Sequence, residues 1–427
     1  MKHLTIDNLP KYLRPAAKFI KHKEEASGLS TSRFVQDFSV CMIPKATFSR
    51  SLPDLCENLF LEGAEESLIY FTPALLGQKV ARKLFSKNLS ENLKKEIATP
   101  AVKLLEKKSE DNKKVLPVKA AIALAATIIP LTEFSLNYIK NLLTLKVFKK
   151  SDFKNIASLE NNTEDKSQQE KVKNSAKKHI AIAGGIYAGL LGLAGLLATG
   201  GKNSKILQNL SEFILAPGTK IFNTKSKKAK NFCDKYFSLD FNSQDGKLVM
   251  SKGQLTTCVL TGGAGYFGAS ADRGKENLKE TATRFPVVGL YVITGSSFVE
   301  KGFKKLLKKV GKCKNIIGKN LEVPNFDKLG VLAQNLANKK NTSAEKEYLS
   351  LAKQKVLISG LPYIFSIGVM GFFVSGMTRY FTKKRYENSQ KSTQKNLIER
   401  YEATHKKKDL SVTGVKSTGD TLTKLAI

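Results

Sequence analysis

Uncharged apolar runs alternate with long lysine-rich stretches along this 427-residue chain. The longest uncharged run, residues 180–200, reads IAIAGGIYAGLLGLAGLLATG. It predicts a membrane-spanning helix, because a bilayer core needs about 20 largely apolar residues. Residues 356–377, VLISGLPYIFSIGVMGFFVSGM, predict a second, and Arg379, Lys383, Lys384 and Arg385 follow to hold that end among lipid phosphates. Residues 115–139 predict a third, with Lys119 near enough to one end to snorkel and Glu133 beyond Pro130. Two weaker runs, 256–271 and 285–299, flank a charged block over 272–284. They predict a helical hairpin with that block as its wet tip, with a pair that needs neighbours to stay inserted and a re-entrant pair as the alternatives.

Two further segments have a helical period. Residues 298–310 set Val299, Phe303, Leu306, Leu307 and Val310 on one face, with Lys301, Lys304, Lys305, Lys308 and Lys309 around the rest. Such a helix suits the membrane interface. Residues 53–85 open with Pro53 after Ser51, a proline start and a candidate cap. Leu55, Leu59, Leu68 and Phe71 supply apolar positions, and Glu57, Glu62, Glu65 and Glu66 supply acid. Glu62 and Glu66 lie one helical turn apart. Charge along one helix face reads first as a solvated face. In lipid, the same carboxylates would need partners and become a site. Residues 67–77 could dip into the membrane, with a kink at Pro73.

Small residues recur at helical spacing. Gly185, Gly189 and Gly192 form one face, and Gly368, Gly371 and Ser375 another. In lipid such faces let helices approach closely. Gly189→Leu should therefore weaken packing, while Gly265→Ala in the hairpin should be mild, since Ala is also small.

One motif points elsewhere. TGGAGYFG over 261–268 places Gly263, Gly265 and Gly268 in G-x-G-x-x-G. It resembles the nucleotide-binding turn of the extended short-chain dehydrogenase/reductase family. That resemblance implies a pyrophosphate at a helix N-terminus, with residues 256–260 as the preceding strand. The family's Tyr-x-x-x-Lys pair has a formal match in Tyr380 and Lys384. The resemblance covers about a dozen residues, and such a motif is informative only in its strand–turn–helix context. The segment after it, 271–284, carries one large apolar residue, Leu278, and so lacks a face to lay on a sheet.

Composition changes the picture in three ways. The net charge is +34, from 71 Lys+Arg against 37 Asp+Glu. The lysines lie along the whole chain, without interleaved aromatics or zinc-finger spacing, which disfavours nucleic acid and leaves an anionic membrane surface as partner. Cys41, Cys56, Cys233, Cys258 and Cys313 include no C-x-x-C, so neither a disulfide frame nor a zinc site is indicated. The histidines His3, His22, His179 and His405 are equally dispersed. Residues 2–25 lack the unbroken apolar core of a signal peptide.

Together these patterns predict an all-α, multi-pass membrane protein with about four to six hydrophobic helices. The expected organisation is a basic N-terminal arm (1–52), a helical region (53–139), a polar linker (140–178), a membrane helical region (179–385) and a disordered polar tail (386–427). The membrane region includes loop segments over 201–254 and 300–355. Orientation stays open, because basic loops fall on both sides of every span. The leading functional expectation is a non-enzymatic membrane protein that organises lipid or partner proteins, with no cofactor or metal. It would form oligomers through the small-residue faces and meet lipid through Lys304, Lys305, Lys308, Lys309 and Arg379. The first alternative is a transporter using Glu62, Glu66 and Glu133 with Arg273 and Arg284 as counter-charges. The second is a dinucleotide-binding oxidoreductase or epimerase.

Overall fold

The computed structural model describes residues 4–25, 34–72, 75, 79–107, 109–222, 226–244 and 247–423, the side chains of 244, 247 and 403–423 excepted. Of the expected dip at 67–77, the kink at Pro73 and residues 74, 76 and 77 lie outside the described residues, and residues 67–72 end a helix. The chain is nearly all helical, at 80% helix and 1% strand.

The helices of ten residues or more begin with α1 (Arg14–Glu24), α2 (Leu52–Thr72), α3 (Asn112–Ala125), α4 (Ile128–Phe148), α5 (Lys166–Gly200) and α6 (Lys205–Leu215). They continue with α7 (Lys227–Tyr236), α8 (Lys252–Asp272), α9 (Lys275–Leu290), α10 (Ser296–Lys309), α11 (Phe326–Lys340), α12 (Ala344–Phe365) and α13 (Val374–Thr423). A two-stranded antiparallel ribbon, β1 (Asn242–Gln244) and β2 (Lys247–Val249), pairs Asn242 with Val249 and Ser243 with Leu248. Local chemistry starts several helices. The Ser251 hydroxyl accepts from the Gln254 amide and the Gln254 side chain accepts from the Ser251 amide, a capping box that opens α8. Asp165 and Ser343 cap α5 and α12 in the simpler way.

Among the described residues, three helices are long and apolar enough to cross a membrane: Asn112–Phe148, Lys166–Asn203 and Ala344–Glu402. They coincide with the three longest apolar runs. The first is 83% buried inside the protein over its apolar window, the other two only 17%. So α3 and α4 form the centre, while α5 and the apolar stretch of residues 356–373 turn apolar side chains outward. Ile182, Ile186 and Leu196 on α5, and Ile364 and Phe373, are exposed.

Met1–Gly376 cluster as one compact unit, whose described residues form two large hydrophobic cores and a smaller third around Tyr138, Ala176 and Ala269. The first gathers α3 with Ile97, Leu104, Leu197, Leu215 and Phe241. Lys119 does not snorkel: it is 1% exposed, its Nζ lying 2.6 Å from Asp240 and donating to the Ile97 carbonyl at 2.9 Å. Asp240 reaches it from the segment after α7 and also accepts from the Ala101 amide. Burial pushes the Asp240 carboxyl above its usual range, and the Lys119 ammonium offsets only part of that. The second core packs Leu9, Leu13 and Ala17 against Leu329, Tyr348 and Leu351. Glu24 pairs with Lys355 at 2.5 Å and accepts from the Phe326 amide. The N-terminal segment is therefore packed against residues 326–358. The second unit, from residue 377, lies on α13, which continues as helix to Thr423 through the stretch expected to be a disordered tail.

The polar stretch after α4 is ordered over 151–164 around one carboxylate. Glu164 accepts from the Ser151 amide at 2.9 Å, the Ser151 hydroxyl at 2.7 Å and the Asn155 amide group at 2.9 Å. Burial alone would raise its pKa, but these bonds outweigh that and hold it below the usual carboxylate range. Such a group stabilises the fold above its unfolded pKa of about 4.3, and the contribution fades as pH falls through the lower folded value. Glu164→Gln is expected to cost about 1–2 kcal/mol in denaturation at pH 7. The gap from wild type should shrink when both are measured below pH ~4. An equal gap at both pH values would exclude the carboxylate charge as its source.

Candidate functional site

Helix α2 is built inside out. Its acidic residues Asp54, Glu57, Glu62 and Glu66 are 5–8% exposed, whereas Leu52 is 63% and Leu59 39% exposed. The spacing explains the common face: positions 54, 57/58, 61/62 and 65/66 recur at three and four residues. The solvated-face expectation for Glu62 and Glu66 is thus overturned. The acidic face turns inward because α4 offers it a complementary polar stripe. Glu133, Asn137, Lys140, Asn141 and Thr144 are all buried, again at helical spacing.

The two stripes meet antiparallel. At one end Glu57 accepts from the Arg273 guanidinium at 2.7 Å and from the Thr144 hydroxyl, with Lys140 Nζ 3.9 Å away. Arg273 itself is 1% exposed. Farther along, the Asn137 amide group donates to the Glu133 carbonyl at 3.1 Å, and Glu65 lies close enough to Glu133 for the two carboxylates to repel. The buried Cys258 lies beside Glu133. Among the described residues, one Glu133 oxygen and both Glu66 oxygens are buried without a hydrogen-bond partner. Lys45 contacts Glu62. Just outside this seam, Arg50 makes a two-pronged bond to Glu280 at 2.8 and 3.0 Å and reaches Asp54 at 3.3 Å.

The third wall of the seam is α8, and glycine brings it there. A Cβ on Gly262 would enter the Glu133 carboxylate, and one on Gly265 would lie 2.5 Å from the Phe134 carbonyl oxygen. Gly268 faces the Tyr138 hydroxyl and Gly263 faces the Phe285 ring of α9. Asn141 ties the helices by donating to the Ala269 carbonyl at 2.9 Å. The TGGAGYFG motif therefore lies in mid-helix: residues 256–260 form no strand, and no turn breaks the helix at Gly263, Gly265 or Gly268.

The hairpin exists, but its tip differs from expectation. The turn is Arg273–Gly274, with Gly274 at φ +109°, where glycine avoids a steric penalty. Arg273 points inward to Glu57. Glu276 pairs with Lys279 at 2.7 Å as the spacing suggests. Glu280 pairs with Arg50 instead of Arg284, whose guanidinium donates to Ser375 at 3.3 Å.

The remaining expected positions divide. Gly371 is packed against the Val40 carbonyl and Pro44, and Ser375 is buried. A Cβ on Gly185, Gly189, Gly192 or Gly368 would meet nothing within 4 Å, so among the described residues nothing packs closely on the α5 glycine face. On α10, Leu307 is buried and Phe303 stacks edge-on to Phe365, while Phe298, Leu306 and Val310 are exposed. Lys304 pairs with Glu300 and Lys308 bonds the Gly318 carbonyl. Lys305 and Lys309 stay exposed, whereas Arg379, in the second unit, is buried at 8% exposure instead of facing outward as expected.

No protein-family model, curated protein or solved structure matches this chain. The arrangement itself carries the functional reading. Sequence reasoning missed Glu57, Lys140 and Asn137 as site members. The signal available was the polar period over 133–144 inside an otherwise apolar helix.

Proposed function

We propose that this chain is an integral membrane protein that passes a small cation along the polar seam between α2, α4 and α8. The inverted burial of α2 carries the reading. In water, a helix that exposes leucine and buries four carboxylates is the wrong way round. In lipid that arrangement is favourable, since ionisable groups there face the bundle interior and line substrate or proton paths. Unpaired oxygens on Glu66 and Glu133 leave acceptor capacity for a passing cation. The exposed stripe of Phe298, Leu306 and Val310, edged by Lys305 and Lys309, suits α10 to the headgroup layer of an anionic leaflet.

Two measurements test this. The chain should sediment with membranes and resist alkaline carbonate. Recovery as a monodisperse soluble protein without detergent would end the reading. Reconstituted in liposomes, it should carry cations down a gradient, read by pH- and metal-sensitive dyes. Glu133→Gln should cut that flux at least about tenfold with helicity intact, since the variant keeps the shape but loses the charge. Flux equal to that of empty vesicles would favour the second reading, a membrane scaffold. The open Gly185–Gly189–Gly192 face supports that alternative, because it offers another helix a close approach in lipid.

A further inference from the structure

We infer that Cys41, Glu62 and Glu66 form a binding site for a borderline divalent transition-metal ion such as Zn²⁺. The inference rests on the transport reading above and names the class of cation that enters the seam. One donor atom from each residue lies within 4.8 Å of the other two. The second observation is Glu66, which is 5% exposed and has no hydrogen-bond partner on either oxygen. A buried carboxylate without a partner is costly unless a cation or proton meets it. Here its oxygen is one of the three clustered donors.

The donor set selects the ion. A sulfur with two carboxylate oxygens suits zinc and its neighbours and is poor for Mg²⁺ and Ca²⁺, which take oxygen ligands. Metal–sulfur and metal–oxygen bonds of about 2.3 and 2.0–2.2 Å bring ligand atoms within about 4.5 Å of one another. Small side-chain movements therefore close the site. Three protein ligands leave one tetrahedral position open, as in sites that exchange a ligand. Lys45, which contacts Glu62, is the resident counter-charge the ion would displace. The Cys41 thiol loses its proton to solvent as the metal–sulfur bond forms, so binding should weaken as pH falls.

The backbone at Cys41 is also unusual. Cys41 lies in a π-helical segment, Phe38–Met42, against a second π segment, Ser366–Phe373, where Gly371 meets the Val40 carbonyl. Wide turns of this kind are frequent at functional sites.

The experiment uses the untagged full chain in detergent. Equilibrium dialysis against ZnCl₂ with elemental analysis should give one ion per chain. Excess Mg²⁺ or Ca²⁺ should not compete. Co²⁺ should give a thiolate-to-cobalt charge-transfer band. Cys41→Ser and Glu66→Gln should each weaken Zn²⁺ binding at least tenfold and remove that band. In the wild-type chain, Zn²⁺ should protect Cys41 from alkylation and leave the exposed Cys56 reactive, a readout that needs no variant to fold. Absence of stoichiometric binding, or binding and Cys41 reactivity that ignore these changes, overturns the site. Proton flux without metal binding defeats the site and spares the transport reading. Metal binding without flux does the reverse.

Discussion

Glu57→Leu is expected to destabilise the protein by about 3–5 kcal/mol, the usual cost of breaking a buried ion pair by removing one partner. Glu57 faces two buried cations, Arg273 at 2.7 Å and Lys140 at 3.9 Å. Removing it leaves two positive groups facing each other in a dry interior. The reverse change, Arg273→Met, should cost less, because Glu57 and Lys140 then remain as one acid and one base. The double variant Glu57→Leu/Arg273→Met should recover part of the loss, since one cation is gone with the acid. Thermal unfolding in detergent checks the order: Glu57→Leu lowest, the double variant above it. If Glu57→Leu unfolds at the wild-type temperature, the pair does not hold these helices together.

Gly265→Ala is expected to cost about 1–3 kcal/mol, the range for overpacking an interior contact. The new methyl group would stand 2.5 Å from the Phe134 carbonyl oxygen and 2.8 Å from its Cα. Those atoms are backbone of α4, so no side chain can swing aside and the two helices must part. This reverses the expectation from residue size alone, which made the substitution mild. The helix-propensity gain of up to ~1 kcal/mol works against the clash without cancelling it. The loss should extend to flux, because α8 and α4 together wall the seam. The contrast is Gly189→Leu, whose Cβ would meet no atom of the described residues within 4 Å. It should leave the unfolding temperature of the isolated protein unchanged and lower only self-association, read by cross-linking in lipid. A stable Gly265→Ala together with an unstable Gly189→Leu would mean that the close packing lies on α5 instead.

The sequence by itself determined that the chain is helical, where its three longest apolar helices lie, and that 256–299 folds back as a hairpin. These properties are local. Runs of about 20 uncharged residues, and a charged block between two uncharged runs, act within one segment, and no distant partner is needed to read them. The tertiary structure alone decided sidedness. An acidic stripe on α2 has the same period whether it meets water or the polar stripe of α4, and it went inward because Lys140, Arg273, Lys45 and Thr144 are there to meet it. The two glycine-rich helices show the same limit. Gly185-x-x-x-Gly189 reads as a packing face, and Gly262, Gly265 and Gly268 read as part of a nucleotide turn. Only the second set meets a neighbour, against Glu133, Phe134 and Tyr138. Spacing encodes where small residues fall on a helix; what lies opposite them is fixed by segments more than a hundred residues away in the chain, brought together by burial of charge and apolar surface at once.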